Sequence, residues 1–294
     1  MITTPPTVVV LGSLHYDIMV YGPARPRKGE TVTGESWHPK CGGKGGNQAV
    51  AAARTGIETT MIGAVADDAF GRALADNLRH NNVDSRFVKT VRGAGSGMSV
   101  AIFDSEGDYG AVIVSGSNLA LGQADVDAAA DVFTRSSVLV LQNEVPDHAN
   151  VAAAKVMKAA GGRVVLNAAP ARPLPDDLAR LVDVIVVNAI EAEQLAGVPV
   201  VDTLSGALDA ARQLAARFPI AVVTAGGEGL ACATSMGAAF SIAAIKVELV
   251  STHGAGDEFT GVLAAELARG RAIREALEQA NRAAAVLVST PRSD

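Results

Sequence analysis

The feature that most constrains this chain is an alternation: short runs of β-branched and leucine residues, separated by alanine-rich stretches of helical length. Val8-Val9-Val10-Leu11, Val138-Leu139-Val140-Leu141, Val164-Val165-Leu166, Val184-Ile185-Val186-Val187 and Ala221-Val222-Val223-Thr224 are apolar almost without a break. A strand with no polar face is covered on both sides, as in a parallel sheet under helices. Gly45–Thr55 (closed by Gly56), Ala149–Ala160, Ile190–Ala196 and Leu204–Arg217 read as helices of that cover. The repeated strand–helix unit predicts an α/β fold with a doubly wound, mostly parallel central sheet and helices on both faces. Two segments break the rhythm. Ile18-Met19-Val20-Tyr21 followed by Glu30–Trp37 is extended and turn-rich, and Met98–Phe103 with Gly110–Val114 flanks a turn at Asp104–Asp108. Together they predict a small β-sheet lid suited to closing over a site. The expected division is a core of 1–13, 39–96 and 116–294, with a lid of 14–38 and 97–115.

Composition narrows the function. At 294 residues the chain can bury a sizeable core. Its 25 Lys and Arg against 31 Asp and Glu leave a net charge of −6, and Arg25-Pro26-Arg27-Lys28 is its longest basic block, which argues against a nucleic-acid partner. No run approaches the roughly 18 apolar residues of a membrane-spanning helix, so no membrane partner is expected. The start, Met1–Pro6, has no basic region before its first apolar stretch and does not read as a secretory signal. Cys41 and Cys232, far apart, form neither a disulfide framework nor a metal knuckle, and fit a reducing cytoplasm.

Two segments carry chemistry. Gly42-Gly43-Lys44-Gly45-Gly46-Asn47-Gln48 opens an alanine-rich helix; its glycines let backbone approach a ligand, and helix N-terminal amides favour anionic or oxygen-rich groups. It is not a Walker A loop, because no Gly-Lys-Ser/Thr follows the spacer. Taken alone it is equally an ordinary glycine-rich helix start. Thr252-His253-Gly254-Ala255-Gly256-Asp257-Glu258-Phe259 opens a second helix running to about Arg269. Small residues there leave amides open to a phosphate, and a carboxylate beside them can serve as general base. Taken alone, Asp257 also fits an acidic residue that merely complements the helix dipole.

Together, these segments make the sequence resemble the ribokinase-like (phosphofructokinase-B type) carbohydrate kinases. The resemblance spans nearly the whole chain, in order: Gly12-Ser13 and Asp17, Pro26–Val32, Gly42–Ala53, Asn143-Glu144, Asn167–Arg172, Asn188-Ala189-Ile190-Glu191, Thr224–Gly229 and Gly254–Asp257. It implies an ATP-dependent sugar kinase acting on a primary hydroxyl of ribose or a related furanose. Asp257 would be the base, with Gly254, Ala255 and Gly256 forming the anion hole. Asp17, Gly43, Lys44, Asn47 and Glu144 would bind the sugar, with His15 standing where the pattern has an asparagine. Asn188 and Glu191 would help hold Mg2+ through water; Thr224, Gly226, Gly229 and Asn281 would line the nucleotide site. It further implies a cytoplasmic homodimer paired through the lid.

The sequence also departs from that pattern. Ser251-Thr252-His253 replaces an Asp-Thr-Thr-like segment, and the pattern continues beyond Ser289–Asp294 through a further cation-contacting loop. The implied monovalent-cation (K+) site is therefore expected to be incomplete. His15 is bulkier than an amide and weakens the ribose assignment, and Glu228 stands where a basic residue is common. A nucleoside kinase of the same fold, with Trp37, Phe103 and Tyr109 as stacking candidates, is the alternative acceptor class. A turnover-impaired binding homologue is the alternative to catalysis. A dinucleotide oxidoreductase is disfavoured, since the first strand leads to Gly12-Ser13-Leu14-His15 and not to Gly-x-Gly-x-x-Gly.

Overall fold

The computed structural model describes residues 6–106, 109–199 and 201–291, without the Tyr109 side chain. The expectations on Met1–Pro5, on Gly107 and Asp108 of the hairpin turn, on the Tyr109 ring and on Arg292–Asp294 lie outside the described residues.

The chain opens with β1 (Thr7–Leu11), β2 (His15–Tyr21), β3 (Ser36–Gly42), α1 (Lys44–Arg54), β4 (Glu58–Ala66) and α2 (Ala69–His80). It continues through β5 (Asp84–Val91), β6 (Met98–Phe103), β7 (Tyr109–Val114), α3 (Gln123–Ala128), α4 (Ala130–Arg135) and β8 (Val138–Gln142). Next come α5 (Asp147–Ala159), β9 (Arg163–Asn167), α6 (Asp176–Ala179), β10 (Val184–Asn188), α7 (Ala189–Ala196) and α8 (Leu204–Leu214). Strands β11 (Ile220–Thr224), β12 (Gly229–Thr234) and β13 (Ala239–Ala243) precede α9 (Ala255–Ala268) and α10 (Ile273–Ser289).

Nine strands form one sheet in the order β13-β12-β11-β10-β9-β8-β1-β4-β5. It is parallel from β5 to β11 and closes on the other side with the antiparallel pairs β11–β12 and β12–β13. Alternate residues of each strand supply opposite faces. Val9, Leu11, Leu139, Leu141, Ile185 and Val187 pack with Phe133, Met157 and Phe218 on one side. Val8, Val10, Val138, Val140, Val184 and Val186 pack with Val50, Phe259 and Leu263 on the other. Helices α1 and α9 share that second face and touch backbone to backbone: a Cβ placed on Gly261 would lie 2.4 Å from Gln48 O.

A four-stranded sheet, β3-β2-β6-β7, stands apart from the core. Strand β3 pairs with β2 as far as Gly42, beyond the 14–38 segment, because the pairing runs unbroken from Tyr21–Ser36 to His15–Gly42. Cys232 is buried, which pushes its thiol up to about 12, while Cys41 is half-buried on β3. Among the described residues no helix is long and apolar enough to cross a membrane.

Candidate active site

The strands of the main sheet deliver the site residues at their C-terminal ends, where open α/β sheets bind ligands. After β1 the chain turns at Gly12–Leu14, and Asn118 fixes that turn by accepting from Leu14 N and donating to Leu14 O, both at 2.9 Å. Helix α1 starts on Gly43, at φ 82° and without a side-chain cap. Its first amides are already taken. Lys44 N donates to Glu144 Oε2 at 3.0 Å, Gly45 N to Ser13 Oγ at 3.4 Å and Gly46 N to Ser13 O at 2.9 Å. Ser13 Oγ donates in turn to Glu144 Oε2 at 2.5 Å. This corrects the expectation that these amides face a ligand: the protein's own carboxylate, hydroxyl and carbonyl occupy them.

His15 is only 3% exposed, with Nδ1 3.8 Å from the same Glu144 oxygen and Nε2 without a partner among the described residues. Asp17 lies opposite Lys40 on the core-facing side of the lid and accepts from Ser99 Oγ at 2.5 Å. Burial pushes its carboxyl up, while Ser99, His15 and Lys40 pull it back.

Helix α9 starts on Gly254 in the left-handed region, φ 80°, a conformation that costs a residue with a Cβ more than glycine. Ala255 N turns back onto Thr252 O at 3.3 Å, so its amide is not part of an open anion hole. The amides of Gly256 and Asp257 make no hydrogen bond within the described residues. Both oxygens of Asp257 are held: Asn47 Nδ2 donates to Oδ2 and Gln48 Nε2 to Oδ1, each at 2.9 Å. Burial pushes the Asp257 carboxyl above the usual range, against the pull of Lys44, Asn47 and Gln48. Asn47, expected on the sugar, is thus bonded to Asp257. Gln48 is a residue that sequence reasoning missed; only its complete burial distinguishes it from a solvated glutamine.

At α7, Asn188 and Glu191 form a reciprocal cap: Asn188 Oδ1 accepts from Glu191 N and Glu191 Oε2 from Asn188 N, both at 2.8 Å. Glu191 is buried, which pushes its carboxyl up; Lys44 opposes the shift and Asp257 adds to it. Lys44 therefore acts on Glu191 and Asp257 as well as lying beside the expected sugar site.

Two cavities meet at Asp257 and Gly254. The smaller, about 190 Å3, is lined by Lys44, Asn188, Glu191, Thr224, Gly256 and Asp257. The larger, about 740 Å3, runs between the lid and core and is lined by Met19, His38, Lys40, Asn47, Val50 and Asp257. Gly226 and Gly229 lie at the turn between β11 and β12, and Asn281 on α10 donates to Ala243 O at 3.0 Å; none of the three lines either cavity. Trp37 pairs with Val20 on the outer face of the lid and is 62% exposed, so it does not face the cleft. Phe103 stacks on Tyr21.

The sequence pattern of the pfkB family carbohydrate kinases matches residues 6–293. This chain belongs to that family. The kinase is 35% identical over 282 residues to a ribokinase of Bacillus subtilis, covering 96% of this chain and 92% of that protein. It is 32% identical over 274 residues to a deoxyribokinase of Salmonella typhi, covering 93% and 89%. The ribokinase of Arabidopsis thaliana, solved with ribose and ATP, superposes with a TM-score of 0.91 at 29% identity, covering 98% of this kinase and 94% of that chain. The kinase is accordingly a phosphotransferase of the sugar-kinase class, on the fold expected from its sequence.

Proposed function

We propose that this protein transfers the γ-phosphate of ATP to the primary hydroxyl of a small furanose, ribose or a close relative, with Asp257 as general base. The observation that carries the reading is the placement of Asp257: it lines both cavities, and amides from α1 fix its two oxygens. The acceptor hydroxyl gives its proton to Asp257 as it attacks phosphorus in line. The Gly256 and Asp257 amides face the charge that builds on the transferred group, and Lys44 adds a positive charge on the phosphate side. Asp17 and Glu144 accept from sugar hydroxyls, and a lid of 14–38 and 97–115 excludes water.

Asn188 and Glu191 are suited to Mg2+. Among the described residues no group of three or more His, Cys, Asp or Glu side chains forms a metal cage. A single buried carboxylate beside an asparagine fits an ion that keeps its waters and takes its other ligands from phosphates. When bound, such an ion neutralises the β- and γ-phosphate oxygens. Thr224, Gly226, Gly229 and Asn281 make the remaining nucleotide contacts in this reading. The K+ site fits poorly: Ser251 stands in place of an aspartate, and its Oγ accepts from His253 N at 3.3 Å.

The larger cavity supports a second reading. Its volume lies within the range of about 300–1,000 Å3 typical of drug-sized ligands, which favours a nucleoside over a free pentose. ADP release with ATP and Mg2+ on ribose, 2-deoxyribose, hexoses and nucleosides decides between them. Turnover on a free pentose is expected; turnover on nucleosides alone supports the second reading, and none at all sinks both. We also propose a homodimer through the outer face of the lid, where Trp37, Val112 and Val114 are exposed. A monomer in sedimentation velocity would refute it.

A further inference from the structure

An amide side chain facing another helix is costly unless its hydrogen-bonding groups are satisfied. Gln48 meets that condition in full. Its Nε2 donates to Asp257 Oδ1 at 2.9 Å and to Asn167 Oδ1 at 3.0 Å, and its Oε1 accepts from Gln142 Nε2 at 2.8 Å. Gln48 and Gln142 are fully buried, and Asn167 is 7% exposed. Asn167 is oriented by its own bond from Nδ2 to Val186 O at 3.2 Å, which turns its oxygen toward Gln48. The direction of the Gln48 amide is therefore set twice. Turned over, it would present its oxygen to the Asp257 carboxylate and its NH2 to the NH2 of Gln142.

We propose that Gln48 is a positioning residue for phosphoryl transfer: its amide, locked by Asn167 and Gln142, holds one oxygen of Asp257 so that the carboxylate keeps a fixed aim at the acceptor hydroxyl. The proposal rests on the reading of Asp257 as base. Gln48 differs from its neighbour Asn47, which lines the open cleft; Gln48 lies behind the carboxylate and lines neither cavity. The charged groups acting on Asp257 are Lys44 from α1 and Glu144 after β8, with Glu191 of α7 also coupled to it. None of them duplicates the bond from Gln48 to Oδ1. A misaimed reacting group of about 1 Å can cost on the order of a hundredfold in rate.

Gln48→Met keeps the length of the side chain and removes both donors. With ATP and D-ribose, or the best acceptor of the panel, the expected result is a kcat lower by on the order of a hundredfold with KM unchanged. The acid limb of the kcat profile moves to higher pH, since the ionised carboxylate loses a donor. Gln142→Met removes one of the partners that fix the Gln48 amide, leaves Asn167, and gives the same pattern with a smaller loss. A folded Gln48→Met protein with wild-type kcat and an unmoved acid limb overturns the proposal, as does a loss confined to KM. Should Gln48→Met not fold, Gln142→Met carries the test, and wild-type kcat in that variant overturns it. Asp257→Asn, assayed alongside, separates the two ideas. An active Asp257→Asn removes the base itself, whereas an inactive one beside an unaffected Gln48→Met removes only the role of Gln48.

Discussion

Helices α1 and α9 begin alike and end up with different partners. Each starts on a glycine with positive φ, 82° at Gly43 and 80° at Gly254, and neither has a side-chain cap. At α1 the chain fills the gap itself: Glu144 and Ser13 take the amides of Lys44, Gly45 and Gly46. At α9 only Ala255 N is used, and the amides of Gly256 and Asp257 stay open beside a cavity. A glycine-rich helix start is thus not in itself an anion site. What decides is whether the protein supplies an oxygen of its own.

The contrast can be broken at α9 first. Asp257→Asn should lower turnover by about 10²–10⁴-fold, the usual worth of a positioned acid or base, while calorimetry still detects the sugar. Its stability should move the other way. The Asp257 carboxyl is raised by burial, so ionising it costs the native state. That cost is absent below the ordinary carboxylate range and grows as pH rises through the raised folded value. The variant should therefore melt above wild type at pH 7, with the gap closing on acidification; equal melting at pH 7 would contradict the burial argument.

At α1 the effects should be smaller and fall on stability and binding. Glu144→Ala leaves the Lys44 amide and the Ser13 hydroxyl without their acceptor, at a cost of about 1–3 kcal/mol, and should raise the KM for sugar. An unchanged urea midpoint would mean that α1 does not depend on that carboxylate. Ser13→Ala removes a donor to Glu144 and a long bond from Gly45 N. Its cost should be about 0.5–1.5 kcal/mol, read from the same denaturation curve, and a cost as large as that of Glu144→Ala would reverse the order of the two residues.

The parallel strands from β8 to β11 were legible because short runs of three or four apolar residues, bounded by helical stretches, fit strands buried on two faces. Strands β5, β12 and β13 were not: Asp84–Val91 mixes charged and apolar residues, and Gly229–Thr234 is rich in glycine and alanine. The motifs likewise pointed to Asp257 and Asn47, but hydrogen-bond partners are not written in a motif. Lys44 reads as a sugar ligand until its charge is found acting on both Asp257 and Glu191. Gln48 and Asn167 fall inside resembling segments, yet neither they nor Gln142 show their partners in sequence, since an amide has the same letter in a core as on a surface. Asn188 and Glu191 satisfy a helix cap as well as the expected metal role, and spacing alone cannot separate the two.

The close approach of α1 and α9 at Gly261 ties together segments 210 positions apart in the chain. On the ribosome, where domains form as the chain emerges, α1 can pack on β1 and β4 early but lacks α9, the helix beside it on that sheet face, until nearly all of the protein has been made. The carboxylate and the amides that hold it meet only then. With Asp257 and the α9 amides in their proposed roles, a nascent fragment ending before α9 lacks the site, and kinase activity waits for α9 to leave the exit tunnel.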